Sequence, residues 1–159
     1  MKPKFTSRTR WRAKLEKPQA PKIVDIPPKM ARFGSGTMLI PTPQLVDELI
    51  RKVPKGKLVT VAELRRKLAA DFDADVTCPL TTGIFIRIAA ETAEEDRANG
   101  AARVTPYWRV VKEDGSLNPK FPGGAAQQKR YLRVEGFATR PHGDKLKLID
   151  GFARKLHKL

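Results

Sequence analysis

The sequence predicts an α+β fold, predominantly helical, and three observations carry that reading. Apolar residues recur at helical spacing in four segments between residues 43 and 135, two of them separated only by a short polar turn. Three of those segments open on a helix-start signal. One stretch, Tyr107 to Lys112, alternates instead and is rich in aromatic and β-branched side chains, as a strand is.

Residues 1–36 hold ten Lys and Arg against Glu16 and Asp25, and Pro18, Pro21, Pro27 and Pro28 interrupt any long helix. This segment reads as a basic, Pro-rich extended arm. Trp11 and Phe5 stand among its charges, either to anchor the arm on the domain or to stack on nucleic-acid bases. The globular part spans 37–137. Thr42-Pro43 starts a first helix that runs to about Lys52 and repeats Leu45, Leu49 and Ile50 at helical spacing. Thr60 and Glu63 form a capping box for a second, from Val61 to about Ala70, which buries Leu64 and Leu68. After the polar turn Asp71 to Asp75, Thr77-Cys78-Pro79 opens a third. It places Leu80, Ile84 and Ile88 on one stripe and continues as an Ala- and Glu-rich stretch to Asn99-Gly100. Helix, short turn, helix is the layout of a helix-turn-helix unit. The strand at Tyr107, the turn Glu113-Asp114-Gly115 and a returning Ser116-Leu117 make a short β-hairpin. A last helix, about Ala125 to Glu135, turns Leu132 and either Tyr131 or Val134 inward, with Gly136 as its C-cap. Residues 138–159 form a basic tail.

Lys and Arg number 32 against 17 Asp and Glu, a net charge of +15. Such an excess repels itself unless a polyanion is near, and nucleic acid is the usual one. Hydrophobic residues at 40% suffice for a core, which excludes wholesale disorder. The single cysteine, Cys78, excludes an intramolecular disulfide and a multi-cysteine metal site, and reads as a small buried hydrophobe. The first residues lack the apolar run of a secretory signal, and no stretch has the length of a membrane span. The expectation is a cytoplasmic protein, nucleoid-associated if bacterial, monomeric, with no metal, cofactor or membrane partner.

Two blocks stand out together. One is Val53-Pro54-Lys55-Gly56-Lys57-Leu58-Val59-Thr60-Val61-Ala62-Glu63-Leu64. The other is Pro106-Tyr107-Trp108-Arg109-Val110-Val111, followed by Asp114-Gly115, Gly123-Gly124, Lys129 and Glu135-Gly136. In this order they resemble the DNA-binding domain of the O6-alkylguanine-DNA alkyltransferases, above all the alkyltransferase-like branch that lacks the acceptor cysteine. The resemblance covers roughly Ile40 to Phe137. It implies a winged helix-turn-helix domain with the hairpin as wing and the basic arm beside it. In the family the second block reads Pro-Cys-His-Arg-Val: the cysteine accepts the alkyl group, the histidine works through water as base, and a glutamate orients it. Only a strong, soft nucleophile takes a carbon group from a guanine oxygen at neutral pH. Here Tyr107 stands at the cysteine position and Trp108 at the histidine position, so no catalytic residue is expected and Glu135 remains as a structural remnant of the relay.

The alkyltransferase-like branch binds alkylated guanine without repairing it, flips the damaged base and signals to nucleotide excision repair. By that resemblance double-stranded DNA, alkylated or not, is the expected partner, with excision-repair proteins behind it. A base pocket would involve Tyr107, Trp108, Val61, Gly123 and Gly124; equally, Tyr107 and Trp108 would plug a disused one. The family's arginine finger falls at Leu80, which could act as an apolar wedge or sit in the core, and its phosphate-pushing tyrosine falls at Val61. The stretch before Tyr107 is longer than in the family and carries Glu91, Glu94, Glu95 and Asp96, which would face away from DNA or cover the pocket. For DNA contact the resemblance leaves Thr81, Thr82 and Arg87 on the third helix and Arg109 at the pocket, while Lys55, Lys57, Lys120 and Lys129 lie in loops and helix starts suited to phosphates. The alternative is a nonspecific nucleic-acid-binding or protein-interaction module that kept this fold and lost flipping.

Overall fold

The computed structural model describes residues 5–148 and 150–159, with side chains from Trp11 onward; the side chain of Phe5 lies outside the described residues. In chain order the elements are α1 (Phe5–Glu16), β1 (Lys22–Asp25), a 3-10 turn at Pro28–Phe33, β2 (Thr37–Ile40), α2 (Pro43–Arg51), β3 (Val59–Thr60), α3 (Val61–Asp71), β4 (Val76–Thr77) and α4 (Pro79–Ala98). After a 3-10 turn at Tyr107–Arg109 come β5 (Val110–Val111), α5 (Gly124–Val134), β6 (Thr139–His142), β7 (Lys145–Leu148) and a last 3-10 turn at Phe152–Lys155. Among the described residues no helix is long and apolar enough to cross a membrane.

The helix starts follow the side-chain chemistry. Thr42 Oγ1 accepts from the Leu45 N–H at 3.2 Å and Thr60 Oγ1 from the Glu63 N–H at 3.1 Å, each satisfying a donor that the first helical turn leaves open. Glu63 does not complete a capping box. Its carboxylate accepts from Arg66 at 2.7 and 2.8 Å and from the Leu159 N–H at 2.8 Å, and the Arg66 bonds are the main reason it titrates below the ordinary range.

The 20-residue α4 is the spine on which α1 and α2 pack. The stripe expected from Leu80, Ile84 and Ile88 is only partly a core stripe: Ile88 is buried, but Leu80 and Ile84 are 61% and 58% exposed. The inward face is Thr82, Ile86, Ala89 and Ala93, also at helical spacing, and its small side chains let neighbouring helices close on α4. Behind it lies the main core of Leu39, Val46, Ile50, Val53, Leu64, Leu68 and Tyr107.

Both flanks belong to this body, which corrects the reading of residues 1–36 as an extended arm. The prolines do end α1 before Pro18. Yet the helix packs on α4 and α2 with Leu15 buried and Arg12 paired to Asp96 of α4, because burial of an apolar side chain and a paired charge outweigh the order that docking imposes. Strand β1 then pairs antiparallel with β2, which runs parallel to β4, so the boundary drawn at residue 37 cuts a sheet. The Asp75 carboxylate locks this corner by accepting from the Thr37 N–H at 2.8 Å; a Cβ on Gly36, at φ +95°, would stand 2.0 Å from that carboxylate.

The expected hairpin wing is also corrected. Residues Tyr107–Arg109 form a 3-10 turn, and β5 pairs parallel with β3, Val59 opposite Val110 and Thr60 opposite Val111. The turn at Glu113-Asp114-Gly115 does form, but Ser116 bridges to Lys147 of β7 rather than extending a strand alongside β5. A tight β-hairpin lies in the tail, as β6–β7. Leu148 and Phe152 pack there on Leu58, Val111, Leu117 and Leu132, and Leu58 bridges to Leu156.

Candidate nucleic-acid interface

The exposed Leu80 and Ile84 border a groove of about 960 Å³. Its floor is Val61, Ile86, Ile88, Val110, Val111 and Phe121; α4 forms one side with Pro79, Leu80, Gly83, Ile84 and Arg87. The loop Asn118–Phe121 and Lys112 form another, and Trp11 and Lys14 of α1 close the third. Lys14, Arg87, Lys112 and Lys120 are the charged residues of this lining, and no Asp or Glu is among the described residues that line it. The groove thus offers apolar surface rimmed by positive charge. Arg87 has Glu91 one turn along at 3.8 Å, a loose pair on an exposed helix face that leaves most of its charge effective.

Val110 and Val111 reach the groove floor, but Tyr107 and Trp108 of the same block do not line it, and Tyr107 is packed shut behind Phe121. Tyr107 is fully buried; its ring meets Trp108, Phe121 and Tyr131 edge-on at centroid distances of 5.5, 5.1 and 6.3 Å. Its hydroxyl donates to Glu94 at 2.7 Å, and Tyr131 donates to the same carboxylate at 3.1 Å. Burial first, and the Glu94 carboxylate second, push the Tyr107 phenol well above its ordinary range, so it stays protonated. Gln128, itself fully buried, pins the segment by donating to the carbonyls of Val110 at 2.8 Å and Trp108 at 3.1 Å while accepting from the Asn118 N–H at 2.8 Å.

Glu135 is the centre of the second half of this block. Its carboxylate accepts from Trp108 Nε1 at 2.6 Å, from the Gly56 N–H at 2.9 Å and from Arg109 Nε and Nη2 at 3.0 Å, with only 5% of the side chain exposed. Burial alone would raise its pKa, but the hydrogen bonds from Arg109, Gly56 and Trp108 more than offset that, and the group titrates below the ordinary carboxylate range. Every strong donor around it is committed. No side chain in the block combines an exposed nucleophile with a base.

Several predicted site residues therefore need correction. Thr82 is fully buried, its hydroxyl donating to the Cys78 carbonyl at 2.6 Å, so it faces the core and not a phosphate. Thr81 is half-buried, 3.5 Å from the same carbonyl. Arg109 bonds Glu135 and, at 2.6 Å, the Val53 carbonyl, which makes it a strut. Tyr107 and Trp108 do not line the groove, and neither do Gly123 and Gly124, whose left-handed backbone shapes the start of α5. Lys55 and Lys57 lie near Glu135 in the chain fold rather than at the groove, and Lys129 lines a small cleft of about 150 Å³ with Arg133 and Phe137. Leu80, Val61, Arg87 and Lys120 are the predicted residues that the groove does bring together.

None of Glu91, Glu94, Glu95 and Asp96 lines the groove, in keeping with the expectation that the acidic stretch faces away from it. The stretch lies within α4, where Glu94 receives the tyrosine hydroxyls, Asp96 pairs with Arg12 and Glu91 faces Arg87, its pKa raised chiefly by burial. Ile84, Lys14, Lys112 and Phe121 are groove residues that the sequence did not single out, while Trp11, expected to anchor the segment or to meet nucleic acid, lines the groove. The competing stripe Thr82, Ile86, Ala89, Ala93 was the available sign that Ile84 points outward.

No family model and no curated protein matches the chain. Two solved structures are similar to it. One is S. pombe Atl1 in complex with damaged DNA containing O6-carboxymethylguanine, at 18% identity and a TM-score of 0.48; the match covers 74% of this chain and 94% of that one. The other is S. pombe ATL in complex with DNA, at 15% identity, the same TM-score of 0.48 and the same 74% and 94% coverage.

Proposed function

We propose that this protein binds duplex DNA without performing chemistry on it, seating the duplex against the groove beside the first turns of α4. The observation that carries this is the lining itself: Leu80 and Ile84 open to solvent, ringed by Lys14, Arg87, Lys112 and Lys120, with no acid among the described lining residues. Apolar side chains at this position act on a base step as wedges, and the cations hold phosphates. The net charge of +15 adds sequence-independent attraction. The absence of chemistry is inferred from the buried, protonated Tyr107 and the committed Glu135. In its finer form the reading is recognition of O6-alkylguanine or another damaged base, left unrepaired for excision machinery; the ordered sequence resemblance supports it. A base turned out of the stack would rest on Val61, Ile86 and Phe121 rather than beside Tyr107.

A second reading has its own observation. Tyr107 fills the space where the family would hold a base, which favours recognition of DNA shape without flipping. Titration of paired duplexes, one with O6-methylguanine and one with guanine, across salt separates the two. A preference for the lesion that persists at physiological salt establishes damage recognition. Equal affinities that fall together as salt rises establish the shape-and-charge reading.

A further inference from the structure

The groove has a wall that the α3–α4 unit does not supply. Helix α1 lies along α4 and brings Trp11 and Lys14 to the groove's edge. The Lys14 ammonium sits 4.8 Å from the Trp11 ring centroid and the Arg87 guanidinium 5.7 Å from it, so one indole holds a cation from each wall. Both cations line the groove, and an ordered cation loses less freedom when it meets a phosphate than a freely rotating one. At its other face α1 is latched by Arg12, which pairs with Asp96 near the C-terminal end of α4 and with Glu16 at 2.7 Å, while Leu15 is buried.

Resting on the DNA-binding reading above, we propose that α1 is a built part of the DNA site: docked on α4, it uses Trp11 to position Lys14 and Arg87 as a two-cation phosphate clamp across the groove. The occupant is a duplex backbone. The complementarity is electrostatic, four cations and no acid among the described lining residues, and Lys14 and Arg87 line the same groove as the exposed Leu80 and Ile84. Trp11 is a positioning residue here, and the Arg12–Asp96 pair is the latch that keeps the helix in place.

The latch gives a test in which simple attraction and the clamp predict opposite signs. Asp96→Asn removes a negative charge, so attraction alone predicts tighter binding; the clamp predicts weaker binding, severalfold, because the ion pair that fixes α1 against α4 is lost and Trp11 is held less firmly. The probe is an undamaged labelled duplex, followed by fluorescence anisotropy with the full chain across salt, each variant first checked by its thermal melt. Trp11→Ala leaves the charge unchanged and is expected to weaken binding about tenfold, with Trp11→Phe restoring most of it. Lys14→Ala combined with Arg87→Ala is expected to reduce the salt slope by about 2, since each phosphate that is no longer neutralised takes away about 0.9. Tighter binding by Asp96→Asn together with unchanged binding by Trp11→Ala overturns the clamp while leaving the DNA-binding reading standing. A wild-type chain that does not bind the duplex overturns both.

Discussion

Around the first turns of α4, Leu80 and Ile84 stand open to solvent among Lys14, Arg87, Lys112 and Lys120; around its last turns, Glu94 is closed over by Tyr107 and Tyr131. One helix thus serves an open, cationic, apolar groove at one end and a sealed, fully hydrogen-bonded aromatic cluster at the other. The difference is one of satisfaction. In the cluster the polar atoms of Tyr107, Trp108, Arg109 and Glu135 have partners within the protein, so these four side chains contribute to stability and leave no polar group open to a ligand. At the groove, large aliphatic side chains remain in water and, among the described residues, no acid lines the wall beside the four cations, an arrangement that costs stability and is relieved by a polyanion with apolar faces. The two regions should therefore respond to mutation in opposite ways.

The largest effect is expected where the sealed block is cut. Glu135→Ala leaves the Arg109 guanidinium, 13% exposed, without its partner, and should destabilise the fold by about 3–5 kcal/mol in a denaturant titration. Duplex affinity of the still-folded fraction should be unchanged. At the groove the pattern inverts: Leu80→Ala with Ile84→Ala should alter stability by no more than about 0.5 kcal/mol, since both side chains are already exposed. Affinity for a duplex should fall about tenfold, and bending measured by end-to-end energy transfer should be lost. Unchanged affinity and bending in that double variant would remove the groove's assigned role.

Smaller effects sharpen the contrast. Tyr107→Phe removes one donor to Glu94, which keeps Tyr131 as a partner, so about 1 kcal/mol of stability should go and no binding. Tyr107→Cys places a thiol in this buried position, yet is expected to take up no methyl group from O6-methylguanine DNA. Trp108 cannot serve as base and Glu135 is already engaged, and intact-protein mass spectrometry would show transfer if this is mistaken. The pH dependence follows from Glu135, whose pKa is lowered on folding. Its contribution is complete above the unfolded value, about 4.3. Below that the unfolded chain binds the proton first, so stability is lost as pH falls through the folded value. Wild type should lose stability more steeply than Glu135→Gln on acidification below about pH 4.

Residue chemistry with short reach was readable in the chain itself. The caps at Thr42 and Thr60, the starts of α2, α3 and α4, the end of α4 at Asn99 and the left-handed Gly136 depend on neighbours a few positions away. What the sequence left open required partners far along the chain. Residues 5–16 carry no amphipathic pattern that announces a docked helix; the order comes from the face of α4, with Asp96 84 positions beyond Arg12. Thr82 and Ile84 are two residues apart on one helix, and which of them faced water depended on how α2 and α1 packed against the small side chains of α4. Strand β5 took β3 instead of Ser116-Leu117 because two-residue strands carry too few side chains to set their own pairing, and the surrounding core chose the partner. Local backbone chemistry decided where elements begin and end; long-range packing decided which faces stayed exposed, and so which residues form the groove.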